Sequence, residues 1–353
     1  MINKNIIKVS LLILLLGTSV YAQTMSLDET INRLGGAGSV EFRWDPFFSS
    51  GTFINGSHEA SFISGRAGES GSVLLDRRDV INVPLPFLDN GNIRFPEAFV
   101  NQITNTFVRH DDVIGDYRVG AIVIDPGHGG VDPGTVWEYT VNGRNMRIME
   151  KDIVLRVSRM LHASLRAAFP DRQVVLTRDG DYNLTLEQRT DVANSLSLKE
   201  NEIAIFISIH ANSSFNRNAR GFEVFYLDPS HQRELVDRSL HVGFEDVIPI
   251  INWLLEEEIG QESIILANSM LRRLEDAVGD VSPNRGLKSH NWFVVRNALM
   301  PAVLVELGFV SNREEALLLN DEAYFMKLSD ALYKGIMDFI AFFERTGGSV
   351  TIQ

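Results

Sequence analysis

Three apolar runs in this chain lead directly into side chains that can do chemistry. Ile122-Val123-Ile124 is followed by Asp125-Pro126-Gly127-His128-Gly129-Gly130, Ile205-Phe206-Ile207-Ser208-Ile209 ends on His210, and Val303-Leu304-Val305 ends on Glu306. A fourth residue, Glu150, opens a helical pattern 22 positions after His128. In open α/β sheets the carboxyl ends of strands are where sites assemble. Two histidines with a carboxylate form the ligand set of hydrolytic zinc sites that keep one position open for water. The chain has no cysteine, so metal ligands must be histidine or carboxylate, and disulfides are excluded. A lipid-modified cysteine is likewise not expected. The helical H-E-x-x-H zinc signature is absent. The glycine loop around His128 fits neither G-x-G-x-x-G nor the P-loop, and no G-x-S-x-G elbow occurs, which sets aside nucleotide binding and serine hydrolysis. His58, His110, His162, His231 and His241 read as structural or solvated. His290, beside an apolar run at Trp292, stays a competing ligand candidate.

The elements that must hold these residues read as α/β from Tyr117 onward. Strands are expected at Val119–Ile124, Val174–Thr177, Ile203–Ile209, Phe222–Leu227, Trp292–Val295 and Ala302–Val305. Ile153, Val154, Val157, Met160, Leu161 and Leu165 recur at helical spacing, and Pro170 closes that helix. Thr185 and Gln188 form a capping-box start for the next helix. Further helices are expected over Ile264–Val278 and over Arg313–Phe343. The architecture this implies is a mixed twisted sheet with helices on both faces, over residues 117–347.

A smaller, mainly β module precedes it, over residues 23–112. Val40, Phe42 and Trp44 alternate with polar residues, as a half-buried strand requires. Asn55-Gly56 and Asp89-Asn90-Gly91 mark turns between further short strands, and a helical exit is expected near Pro96–Thr106. Residues 1–22 read as a signal peptide: Lys4 and Lys8, an apolar run over Val9–Leu16, then Val20 and Ala22 at a small-residue cleavage site. That run is too short to span a bilayer. The net charge of −13 becomes −15 without those residues, a poor match to nucleic acid or an anionic membrane surface. Secretion, and a periplasmic location, are the expectation.

At its chemical residues the chain resembles the zinc-dependent N-acetylmuramoyl-L-alanine amidases of bacterial cell walls. The resemblance runs from about Val119 to Phe343 and rests on ordered blocks. These are Ile124–Gly130 with Asp132-Pro133-Gly134, Glu150-Lys151, Arg178-Asp179, Ser208–Asn212, Gly221–Val224 and Val305–Asn312. It implies one zinc ion held by His128, Glu150 and His210, with Glu306 as catalytic base and Asp125 and Asn212 as supporting groups. Peptidoglycan is then the substrate, cut between muramic acid and the first alanine of the stem peptide. A zinc peptidase on stem peptides and a non-catalytic wall-binding scaffold are the rival readings.

Residues 228–263 interrupt the family pattern. Ile248, Ile250, Ile251, Trp253, Leu254 and Leu255 followed by Glu256-Glu257-Glu258 read plainly as a surface amphipathic helix. The cell-division members of the family carry an insert here that covers the zinc until an activator protein removes it. The resemblance therefore implies autoinhibition, with Glu256, Glu257 or Glu258 as the capping group.

Overall fold

The computed structural model describes residues 24–36, 38–55, 58–75, 79–114, 117–141, 143–199, 201–235 and 248–346. The expected leader and residues 236–247 of the insert lie outside them. Contacts divide the chain into two units, Met1–Val113 with Val236–Leu255, and Ile114–Leu235 with Glu256–Gln353.

In the first unit, β1 (Thr24–Met25) leads into α1 (Leu27–Leu34). Ser26 and Glu29 cap that helix reciprocally. This short helix is absent from the periodicity reading, although the Ser26-x-x-Glu29 capping box announces it. Strands β2 (Val40–Asp45), β3 (Ser50–Asn55), β4 (His58–Ile63), β5 (Ser70–Leu75) and β6 (Asp79–Pro84) form one antiparallel meander. β7 (Phe87–Asp89) and β8 (Asn92–Pro96) join β1 in a three-stranded sheet, and α2 (Glu97–Ile114) follows. Asn90 and Gly91 both take positive φ, as a two-residue hairpin turn requires. Phe53, Phe62, Phe95 and Phe99 pack as the centre of this unit's core.

The second unit is built on a six-stranded sheet. Its strands are β9 (Arg118–Pro126), β12 (Gln173–Leu176), β13 (Glu202–Asn212), β14 (Phe222–Tyr226), β15 (Asn284–Ser289) and β16 (Ala302–Phe309). The order is β12-β9-β13-β16-β14-β15, parallel except for the β16–β14 pair. A hairpin of β10 (Val136–Val141) and β11 (Arg144–Met149) stands apart from it. The helices are α3 (Glu150–Ala168), α4 (Leu186–Asn194), α5 (Ile248–Val278), which belongs to this unit from Glu256 onward, α6 (Phe293–Asn297), α7 (Arg313–Leu318) and α8 (Glu322–Arg345). Among the described residues no helix is long and apolar enough to cross a membrane.

Strand alternation sorts the core into two layers. Ile122, Ile124, Ile205, Ile207, Val303 and Val305 face α3, the C-terminal part of α5, and α8. Ala121, Val123, Ala204, Phe206, Ala302 and Leu304 face α4 and α6. The β10–β11 hairpin and β15 were not expected, and two expected elements differ in kind or extent. Trp292–Val295, apolar and β-branched, is not a strand: Trp292 is the N-cap of α6, whose Val294 and Val295 turn inward onto the second layer. The helix expected from Ile264 begins at Ile248, so the apolar and acidic stretch of the insert is its first turns.

Candidate metal centre

The alternation that places Ala302 and Leu304 on the α4/α6 face places Glu306 there too. By the same count, Asp125, Ser208, His210 and Glu223 share that face. Parallel register sets His210 beside Glu306 and Ser208 beside Asp125, while the antiparallel strand β14 sets Glu223 on Glu306's other side. Glu306 is not at the end of its strand as the apolar run suggested. β16 continues to Phe309 with all eight residues buried.

His128 reaches the same place from the loop after β9. Its own φ is +58°, uncommon for a side chain with a Cβ, and Gly129, Gly130 and Gly134 also take positive φ. Two glycines are cleared for the site itself. A Cβ on Gly127 would lie 2.5 Å from His210 Nε2, and one on Gly134 would lie 2.7 Å from both Glu150 Oε2 and His128 Cδ2. The loop is pinned by two buried arginines. Arg178 donates to the carbonyls of Pro126, Gly127, Lys151 and Gly180. Arg189 donates to Asp125, and to the carbonyls of Pro126 and His128. Asp125 also accepts from Thr177 and Ser208, so its role is to hold the loop from beneath.

Glu150, the first residue of α3, sits between the histidines: its Oε1 is 3.1 Å from His128 Nε2 and 3.0 Å from His210 Nδ1. Backbone amides of Thr135 and Ala211 donate to its two oxygens. Burial opposes ionisation of this carboxyl, but hydrogen bonds and charge from His128 and His210 prevail and hold it well below the usual range. Burial likewise opposes charge on His128, and Glu150 with Asp132 outweighs it and raises the imidazole. Asp132 Oδ2 accepts from His128 Nδ1 at 2.8 Å, which leaves Nε2 facing the cluster. Asp132 was quoted only as part of a family block, with no role of its own, although its position four residues after His128 in a turn signals this contact.

The three ligand atoms lie within 4.8 Å of one another, and this is the His/Glu/Asp cluster of metal-binding geometry among the described residues. Atoms about 2.0–2.1 Å from a tetrahedral ion sit about 3.3 Å apart, close to the 3.1 and 3.0 Å that separate Glu150 from the two histidines. An anionic centre between imidazoles, with one histidine oriented by an outer carboxylate, is the donor chemistry that zinc takes. The residues present fit that ion.

Beside the cluster, Glu306 is buried and its Oε2 has no hydrogen-bond partner. Burial first, then the charges of Glu150 and Glu223, push its carboxyl well above the usual range. Glu223 is itself satisfied by Asn212, Arg285 and Lys288. The cluster and Glu306 open into a cleft of about 610 Å³ whose far wall is Leu184–Leu186 and Trp292–Val294. Sequence reasoning missed these wall residues, because they come from helix starts brought in by packing.

Two expectations are corrected. His290 stacks on Trp292 at 4.3 Å and lies outside the cluster, because the chain after β15 turns it toward that ring. Glu256 is bound by Arg233, whose Nε is 2.6 Å from Oε1 and whose Nη1 donates to Ala298 O, so this carboxylate is committed elsewhere. None of Glu256, Glu257 and Glu258 lines the cleft.

Comparison with known proteins places residues 122–338 under the family model described as N-acetylmuramoyl-L-alanine amidase. An uncharacterized cell wall amidase of Bacillus anthracis is 29% identical over 290 residues, covering 82% of this chain and 46% of its own length. The probable N-acetylmuramoyl-L-alanine amidase AmiB of Haemophilus influenzae is 29% identical over 248 residues, covering 62% of this chain and 51% of its own. The chain thus spans about half the length of these two relatives. Among solved structures, the catalytic domain of CwlV from Bacillus (Paenibacillus) polymyxa is 30% identical with a TM-score of 0.47, covering 63% of this chain and 99% of that one.

Proposed function

The chain belongs to the N-acetylmuramoyl-L-alanine amidase family, and from that premise we propose that it hydrolyses the amide joining muramic acid to the first alanine of the stem peptide in peptidoglycan, with one zinc ion. The observation that carries this reading is the convergence of His128, Glu150 and His210 beside a buried carboxyl, Glu306, that has an oxygen to spare.

In this reading His128, Glu150 and His210 hold the metal. Zinc bound there would supply the positive charge that polarises the scissile carbonyl, acidifies a water and offsets the charge of Glu150. The chain's own residues do the rest. Glu306, buried beside the cluster with one oxygen free of partners, takes a proton from the attacking water. It then returns that proton to the departing alanine amine. Asp132 keeps His128 in the tautomer that presents Nε2, and Arg178 with Arg189 keep the loop from drifting. The Leu184–Leu186 and Trp292–Val294 wall excludes water from one side of the cleft.

The finer reading is a secreted, periplasmic enzyme acting when daughter cells separate, restrained by its 228–263 insert until an activator protein binds. Support for restraint is the insert's presence and composition. Its described carboxylate Glu256 is occupied by Arg233, so any cover over the metal must come from another residue. Deleting Ser230–Gly260 raises activity if the restraint is real.

The test is digestion of purified sacculi by the zinc-loaded protein, with product masses read. Free stem peptides with an exposed alanine amine, lost with chelator and with Glu306→Gln, are expected. Shortened peptides still joined to sugar would assign a zinc peptidase instead.

A further inference from the structure

Next to the catalytic cleft the second unit carries another, of about 520 Å³, lined by Trp137, Tyr139, Arg217, Arg220, Arg313 and Glu314 among others. Its character is opposite to that of the chain. The protein carries a net charge of −13, yet three guanidinium groups and one carboxylate face this space.

The arginines are not spent on one another's needs. Arg220 is committed in part, to Glu314 and to Val281 O, while its Nε is buried without a partner. Arg217 lies flat over the Trp137 ring, 3.2 Å from the centroid, a stacking that leaves its in-plane N–H donors facing outward. Arg217 and Arg313 both border the cleft with Tyr139, whose hydroxyl is bound to Val310 O. The floor is fixed: Asn312 donates to Arg217 O, and Ser311 accepts from Ser214 N.

Chain continuity ties this cleft to the metal. Thr135 lines the catalytic cleft and Trp137 is two residues on, about 7 Å along a strand. Ser213 lines the catalytic cleft and Arg217 is four residues on, at most about 14 Å away. Between them Phe215 stands fully exposed. A stem of about four extended residues spans roughly 13 Å. A peptide held by its alanine end at the metal is therefore long enough to reach the arginines.

Resting on the amidase reading above, we propose that the Trp137–Arg217–Arg313 cleft is a carboxylate-binding subsite for the distal part of the stem peptide. The stem peptide carries free carboxylates, while the muramic acid to which it is joined has its own carboxyl tied up in the scissile amide, so a cationic cleft selects the peptide side of the intact substrate. Arg217 and Arg313 form charge-assisted pairs with a carboxylate, and Trp137 holds Arg217 in the plane that such a pair needs.

The experiment uses the full zinc-loaded chain and two stem peptides, one with free carboxylates and one amidated throughout. Calorimetry on the intact protein is expected to show the free-acid peptide binding roughly tenfold or more tightly, a preference that weakens with salt. Arg217→Ala with Arg313→Ala abolishes the preference. On a soluble muropeptide the double variant raises KM roughly tenfold and leaves kcat within about twofold, since uniform binding alone is lost. No preference in the wild type, a preference that survives in the double variant, or equal tightening by a glycerol phosphate oligomer would each overturn the subsite. Release of stem peptide by the wild-type chain is scored separately. Its absence from the Ser230–Gly260 deletion as well, alongside an arginine-dependent preference, sinks the amidase reading and leaves the binding site standing.

Discussion

Replacing Gly127 by alanine tests the metal centre through geometry alone. Gly127 does not have a positive φ, so alanine brings no backbone strain there. Its new methyl group would lie 2.5 Å from His210 Nε2 and 2.7 Å from Nδ1, where ordinary contact begins at 3.4 Å. The ring's Cε1 would lie closer still, at 2.3 Å, so the imidazole must retreat by about 1.1 Å at its nearest atom. Its anchor is the 3.0 Å contact with Glu150 Oε1, which such a retreat stretches beyond hydrogen-bond range. Misplacement of a ligand or reacting group on the scale of 1 Å costs roughly a hundredfold in turnover. Zinc affinity is expected to fall by about 10- to 100-fold, or roughly 1.4–2.8 kcal/mol.

The assay is competition for zinc against a chromophoric chelator, with turnover on sacculi measured at saturating metal. Thermal unfolding of the metal-free protein runs beside it. Because His210 borders an open cleft, it can swing aside, and the metal-free melting temperature is expected to change little. A variant that binds zinc with unchanged affinity and digests sacculi at the wild-type rate would refute the reasoning. So would a loss of activity matched by collapse of the metal-free fold, since the effect would then be structural.

Asp132→Asn removes the acceptor that orients His128 while leaving the loop turn able to form, and zinc affinity is expected to drop about tenfold or more in the same competition assay. Arg178→Met takes its donor from the carbonyls of Gly127, Lys151 and Gly180, while Pro126 O keeps Arg189, and chemical denaturation should show a loss of roughly 3–5 kcal/mol. Asp338, whose carboxyl is lowered by its hydrogen bonds to Arg273, links α5 to α8. A depressed carboxyl stabilises the fold above the unfolded value and loses that contribution as pH falls through the folded one. The melting-temperature gap between wild type and Asp338→Asn is therefore expected above about pH 4 and should close below it. Its size is small, about 1 kcal/mol or less, because the pair is partly exposed.

Much of the second unit was legible before any fold was seen, and for a local reason. Strands buried on both faces must be continuously apolar, so Ile122–Ile124, Ile203–Ile209 and Ala302–Val305 announce themselves, and a polar residue breaking or ending such a run stands out. Period 3.6 and the Thr185/Gln188 box announced α3 and α4 in the same way. His128, Glu150, His210 and Glu306 were all named from these signals together with the family resemblance, and the structure brings the first three together beside the fourth.

What tertiary structure decided is everything that depends on partners distant in the chain. Trp292–Val295 has strand-forming residues, yet the sheet face carrying Phe206, Ala302 and Leu304 takes them as a helical turn. Glu256 looked free to cap a metal, and a buried arginine 23 residues away claims it. His290 had the right side chain, and its neighbour Trp292 set its direction. Composition and spacing report which groups can be buried. Only packing, which brings together strands 80 to 180 residues apart in sequence, says which of those groups face one another across a shared point.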